Sequence, residues 1–217
     1  MQKEEIIAAT VTFTKETLEN AEGGHDWWHV YRVWQVAKSI AKQEEVDGLV
    51  VELGALLHDI ADSKFNQSNE NIGPEKARAF LEDLGLQEYI IIQVENIIKH
   101  ISFKGGNEKQ VFHSKELDVV QDADRLDAIG AIGIARAFSY GGFKNRKIYD
   151  PTIQPDLHRT KESYKNNTDP TINHFYEKLF LLKDRMNTKT GRLLAEERHQ
   201  FMVLYIQQFY AEWEGGR

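Results

Sequence analysis

Apolar residues recur along most of this chain at intervals of three and four, the period of an amphipathic helix. The clearest stripe is Val30, Val33, Val36, Ala37, Ile40 and Ala41, which predicts a helix over about residues 26–43. The same pattern predicts helices over 3–20, stopped near Gly23-Gly24, over 47–61 and over 87–100. Pro74 suits the first turn of a helix that reaches Leu84 and is closed by Gly85. Residues 114–138 read as helical with a break near Val120-Gln121, and two last helices are predicted over 171–186 and 190–213. The polar stretch 63–73 reads as a loop. Residues 140–169, with Gly141-Gly142, Pro151 and Pro155, form one long irregular region, and loops of that length are usually functional or mobile. Helix follows helix without strand alternation. The predicted fold is all-α: a single domain over 1–217, with a core over about 20–140 and C-terminal helices over about 170–213 packing on it.

Composition narrows the function classes. A chain of 217 residues can bury a sizeable core, and 41% hydrophobic with 28% charged residues is an ordinary globular balance. The net charge of −7 argues against a nucleic-acid groove, while local basic clusters can still hold a small phosphorylated ligand. The absence of cysteine excludes disulfides, cysteine nucleophiles and thiolate zinc sites, and it suits a cytoplasmic protein. The first residues carry no secretory pattern, and no run of about eighteen apolar residues predicts a membrane span. The run Phe201-Met202-Val203-Leu204-Tyr205-Ile206 suits either a core face or the face of a homodimer.

Candidate chemistry sits at His29, at the adjacent pair His58-Asp59, and at Asp124. Imidazole nitrogen and carboxylate oxygen together suit a catalytic divalent metal. The segment Ala55-Leu56-Leu57-His58-Asp59-Ile60-Ala61-Asp62 sets His58 and Asp59 in an otherwise apolar stretch, where a charged Asp is costly unless something pairs with it. On a helix, His58, Asp59 and Asp62 point the same way, as do Asp124 and Asp127 three apart. Taken singly, each has an ordinary account. His29 and its neighbour His25 can be packed or surface histidines, and Asp124 a solvated helix end. Asp122 is either an N-cap for the helix through Arg125 and Leu126 or a metal ligand, and capping is the simpler use. Trp27, Trp28, Tyr31 and Trp34 lie at helical spacing, which suits core packing better than a base-stacking platform.

Taken together, His29, Leu57-His58-Asp59-Ile60 and Ala123-Asp124-Arg125-Leu126 resemble the HD-domain metal-dependent phosphohydrolase superfamily, whose signature is His, His-Asp, Asp on successive helices. His29-Val30-Tyr31-Arg32-Val33, the run from Gln121 to Gly130, and Asn173-His174-Phe175-Tyr176-Glu177-Lys178-Leu179 are similar to a bacterial subgroup of small single-domain members, so the likeness covers nearly the whole chain. The resemblance implies one divalent ion (manganese, magnesium, nickel or cobalt) held by His29, His58, Asp59 and Asp124. It further implies hydrolysis of nucleotides, with triphosphates cut to monophosphate and pyrophosphate as the subgroup's expected reaction. A nucleoside monophosphatase, a cyclic-nucleotide phosphodiesterase and a non-catalytic nucleotide sensor are the alternatives.

For the mechanism, Asp62 is the candidate to orient the attacking water or take its proton. It matches an acidic catalytic position in the related guanosine-tetraphosphate hydrolases; a surface carboxylate is the bland account. His100 is a candidate substrate or transition-state contact, with a second-metal ligand and a histidine favoured by the helix dipole as alternatives. Developing phosphoryl charge must be met by cations. Arg32, Lys64 and Lys104 are candidates, and the dense basic run Lys144, Arg146 and Lys147 beside Gly141-Gly142 is a candidate lid over a triphosphate.

Overall fold

The computed structural model describes residues 1–19, 21, 24–61, 71–101, 112–157 and 168–216. Among them are nine α-helices, one 3-10 helix and no strand, so the chain is all-α as its periodicity predicts. None of the described helices is long and apolar enough to cross a membrane. Internal contacts group the chain into two compact units, Met1–Asp124 and Arg125–Arg217.

The first unit contains α1 (Lys3–Thr17), α2 (Trp27–Ala41), α3 (Gly48–Leu57), α4 (Ile72–Asp83), α5 (Glu88–His100) and most of α6 (Lys115–Asp127). Helix α3 packs against α1, α2 and α5. Its sequence requires this, because Val50, Val51 and Leu53 through Leu57 are all buried, and a helix so largely apolar must be covered on several sides. Gly54 permits the approach of α5: a Cβ there would lie 2.9 Å from Ile97 Cδ1. Asp47 caps the start of α3 by accepting from the Leu49 and Val50 N–H groups. At the other end, the Leu56 carbonyl accepts from Thr14 Oγ1 of α1 at 3.2 Å, which satisfies a buried terminal acceptor. Gln121 Nε2 of α6 donates to the His100 carbonyl at 2.9 Å and ties α6 to the end of α5.

Three expectations fail in this unit. Helix α3 stops at Leu57 rather than continuing to Ala61, so His58 and Asp59 follow the helix instead of lying inside it. Asp122 lies within α6 and is fully buried, so it does not cap a helix start. Trp28 and Tyr31 are also not core residues: Trp28 is 61% exposed, whereas Trp27 and Trp34 do pack on the cluster of Leu18, Val30 and Leu56.

The second unit contains α7 (Gly130–Phe143), α8 (Thr171–Glu177), a 3-10 helix (Leu179–Arg185) and α9 (Lys189–Trp213). Phe175 is fully buried at its centre, with the rings of Phe138, Phe180 and Tyr205 about it. The break between α6 and α7 falls at Ala128-Ile129 rather than Val120-Gln121. Gly130, at φ +75°, takes the left-handed conformation that turns the chain there. Helix α7 extends to Phe143, so the irregular region starts later than predicted. The helix predicted over 171–186 is divided at Lys178, whose φ and ψ of −142° and −55° leave the helical region. Within α9, Met202 and Ile206 are buried while Phe201 and Leu204 are exposed.

His174 of α8 carries a testable signature. Burial, with Lys178 and Arg146 nearby, pushes its pKa down from 6.5 to about 3. The unfolded chain therefore takes up this proton first as pH falls below about 6.5, and stability declines until the folded histidine titrates near 3. His174→Gln is expected to remove on the order of 1–2 kcal/mol of the stability loss between pH 7 and pH 5. Urea unfolding of both proteins at the two pH values measures it; parallel losses would contradict the assignment.

Candidate metal centre

Three local structures bring the candidate donors together in the first unit. His29 lies in the first turn of α2, where its own N–H donates to the Asp26 side chain at 2.9 Å. That cap fixes the turn, and the His29 ring is 2% exposed. His58 is the C-cap of α3, and its Nδ1 lies 2.8 Å from the Ala55 carbonyl. A carbonyl only accepts, so Nδ1 carries the proton and Nε2 presents its lone pair. The same bond satisfies one of the orphan carbonyls at the helix end, which explains why the helix stops there. Asp124 comes from the last turn of α6.

The geometry converges on His29. Its Nε2 is 3.3 Å from His58 Nε2 and 3.5 Å from Asp124 Oδ1. Donor atoms of His29, His58 and Asp124 all lie within 4.8 Å of one another, and so do those of His25, His29 and Asp59. His25 Nδ1 is 2.6 Å from Asp59 Oδ2. Burial works against the charged form of Asp59, but the His25 hydrogen bond and the adjacent His58, His25 and His29 rings outweigh it and hold the carboxyl below its ordinary value. Nitrogen and carboxylate donors in this arrangement fit a first-row divalent ion, and the two carboxylates offset its charge. The His58 contact to a backbone carbonyl is the orienting bond that ligating histidines usually make.

A family model for the HD domain matches residues 27–129, which include His29, His58, Asp59 and Asp124. The uncharacterized protein YpgQ of Bacillus subtilis is 37% identical, with 94% of this chain and 92% of YpgQ covered. The chain belongs to the HD superfamily. An HD-superfamily hydrolase from Bacillus thuringiensis has 44% identity and a TM-score of 0.81, over 98% of this chain and 99% of that one. The crystal structure of YpgQ in complex with ADP has a TM-score of 0.77 at 35% identity, over 98% of this chain and 97% of that one. HD domains are hydrolases that hold a divalent metal, and the His and Asp groups here are ones that such an ion can use.

The other described candidates lie on α2, at the end of α5 and in the segment that follows α7. Arg32 is half-buried on α2, three residues past His29. His100 ends α5 with its ring stacked on Phe112 at 5.7 Å, and it is in neither donor group. Lys144 lies over the rings of Tyr140 and Phe143, and Arg146 over Tyr140. Lys147 Nζ pairs with Asp150 at 2.7 Å. Asp62, Lys64 and Lys104 lie outside the described residues. His25, to which the sequence gives only the account of a packed or surface histidine, joins Asp59 here. Its one available signal was the spacing of four from His29, and its partner Asp59 is 34 positions away.

Proposed function

We propose that this HD protein hydrolyses nucleoside triphosphates to the monophosphate and pyrophosphate, with one divalent ion held by His29, His58, Asp59 and Asp124. The observation that supports it most is the convergence of His58, Asp124 and the Asp59 group on the buried His29 ring. The ADP bound in the crystal of the related YpgQ favours a nucleotide as the substrate class. When bound, the ion lowers the pKa of a water and polarises a phosphoryl oxygen.

The chain's own groups do the rest. The Ala55 carbonyl accepts from His58 Nδ1, which turns Nε2 toward His29 and the other donors. The Asp26 cap holds the turn that carries His29. Asp62, three positions after Asp59, is the proposed group that orients the attacking water and accepts its proton. Arg32, Lys64 and Lys104 are proposed to neutralise phosphate charge, and His100 to contact the substrate.

The test is release of pyrophosphate and orthophosphate from a panel of nucleoside mono-, di- and triphosphates with manganese. Pyrophosphate from triphosphates supports the proposal. Orthophosphate from monophosphates, turnover of cyclic nucleotides alone, or binding without turnover would each replace it. Lys144, Arg146 and Lys147 are proposed to meet the triphosphate tail, so changing all three to alanine is expected to raise KM for a triphosphate severalfold with little change in kcat. Steady-state kinetics decide this, and an unchanged KM would remove these residues from the site.

A further inference from the structure

We infer that His25 is a positioning residue that sets the orientation of Asp59 for the metal, an inference that rests on the metal reading above. The supporting geometry is specific. His25 Nδ1 and Asp59 Oδ2 are 2.6 Å apart, the distance of a charge-assisted hydrogen bond. Two ligands at right angles on one ion at about 2.1 Å stand about 3 Å apart. The His25–Asp59 contact is shorter than that and has a proton between its atoms. An Nδ1 that carries this proton has no lone pair to give, so His25 acts through Asp59 rather than on the ion. Asp59 Oδ2 accepts this bond, which leaves Oδ1 and the second lone pair of Oδ2 for coordination.

The backbone is built for this contact. Gly24 has φ +116°, a conformation that side chains with a Cβ rarely adopt, and it redirects the chain immediately before His25. Asp26, immediately after, is held by the cap on α2. His25 thus sits between a turn and a cap, and its ring lies edge-on to His29 at 5.8 Å. Asp59 follows the end of α3, and Ile60 and Ala61 after it are not helical. The His25 bond supplies the orientation that a helix would otherwise give. Groups that orient a ligating side chain commonly change metal affinity by 10- to 100-fold when removed.

The experiment is binding of manganese alone, followed by the loss of its free-ion electron paramagnetic resonance signal. His25→Ala is expected to weaken binding about 10- to 100-fold. His25→Asn, whose amide N–H lies near the position of Nδ1, is expected to restore most of that affinity. His25→Gln, whose donor lies farther out, is expected to stay weak. The pair Asp59→Ala and His25→Ala/Asp59→Ala closes the argument. If His25 works only through Asp59, the double variant binds manganese no more weakly than Asp59→Ala. Thermal melts without metal that match wild type exclude misfolding as the cause.

Wild-type affinity in His25→Ala would overturn the inference. So would a double variant weaker than Asp59→Ala, which would make His25 a ligand in its own right, or an asparagine variant as weak as alanine. A wild type that binds no manganese overturns both this inference and the metal reading. A wild type whose manganese binding depends on His25 but which cleaves no nucleotide overturns only the proposed activity.

Discussion

Asp59→Ala is expected to lower metal-dependent nucleotide hydrolysis by about a thousandfold or more, the loss expected when a metal site is dismantled. The substitution removes a carboxylate donor and the negative charge that offsets the ion. It also leaves the His25 N–H without the acceptor it now has at 2.6 Å. The defect belongs to metal binding, so high manganese is expected to recover part of the rate. Asp62→Asn makes the contrast. Its proposed role is on the water, so manganese affinity should stay near wild type while kcat falls, by about 100-fold for a lost general base. Product release at several manganese concentrations separates the two. Asp59→Ala with wild-type turnover at low manganese would move the chemistry away from this pair.

The helices with a clean amphipathic stripe were legible from the chain. For α2 and α5 the apolar spacing places both ends to within a few residues, and Asp26 signals the start of α2. The end of α3 was not legible. Ile60 and Ala61 continue its apolar run, and only the return of the His58 ring to the Ala55 carbonyl explains why it stops at Leu57. The turn between α6 and α7 was misplaced for a similar reason. Gly130 and Gly133 lie close together, and the positive φ that makes one of them the turn is a backbone property that composition does not carry.

The site divides along the same line. His29, the His58-Asp59 pair and Asp124 are legible as a set, because their order along the chain resembles the HD signature and His58-Asp59 interrupt an apolar run. His25 does not stand out, since its role depends on a partner from a different segment. Asp122 was misread because an aspartate near a helix start usually caps it, whereas full burial inside α6 is set by tertiary packing. Trp28 shows the converse: helical spacing counts an aromatic towards the stripe, but the face it occupies carries it into solvent.

Asp127 shares its helix face with Asp124, but it serves stability in the second unit. It is 2% exposed, and its Oδ2 accepts from Arg136 Nη1 at 2.5 Å. Arg198 of α9 donates to the Leu126 carbonyl. Burial pulls the pKa of that guanidinium down, and the Asp127 charge works against the shift. One carboxylate therefore balances two arginines where the chain turns from α6 into α7. Asp127→Ala is expected to cost about 3 kcal/mol, because breaking a buried pair leaves cations without a counter-charge. Arg136→Ala should cost less, about 1 kcal/mol, since this side chain is partly exposed and Arg198 still faces Asp127. The double variant is expected to lose less than the sum, because removing Arg136 also removes one of the charges stranded by the loss of Asp127. Chemical denaturation of the three variants tests this. Strict additivity would mean that Asp127 acts through packing alone, and an Asp127→Ala protein as stable as wild type would mean that the pair carries no net stability.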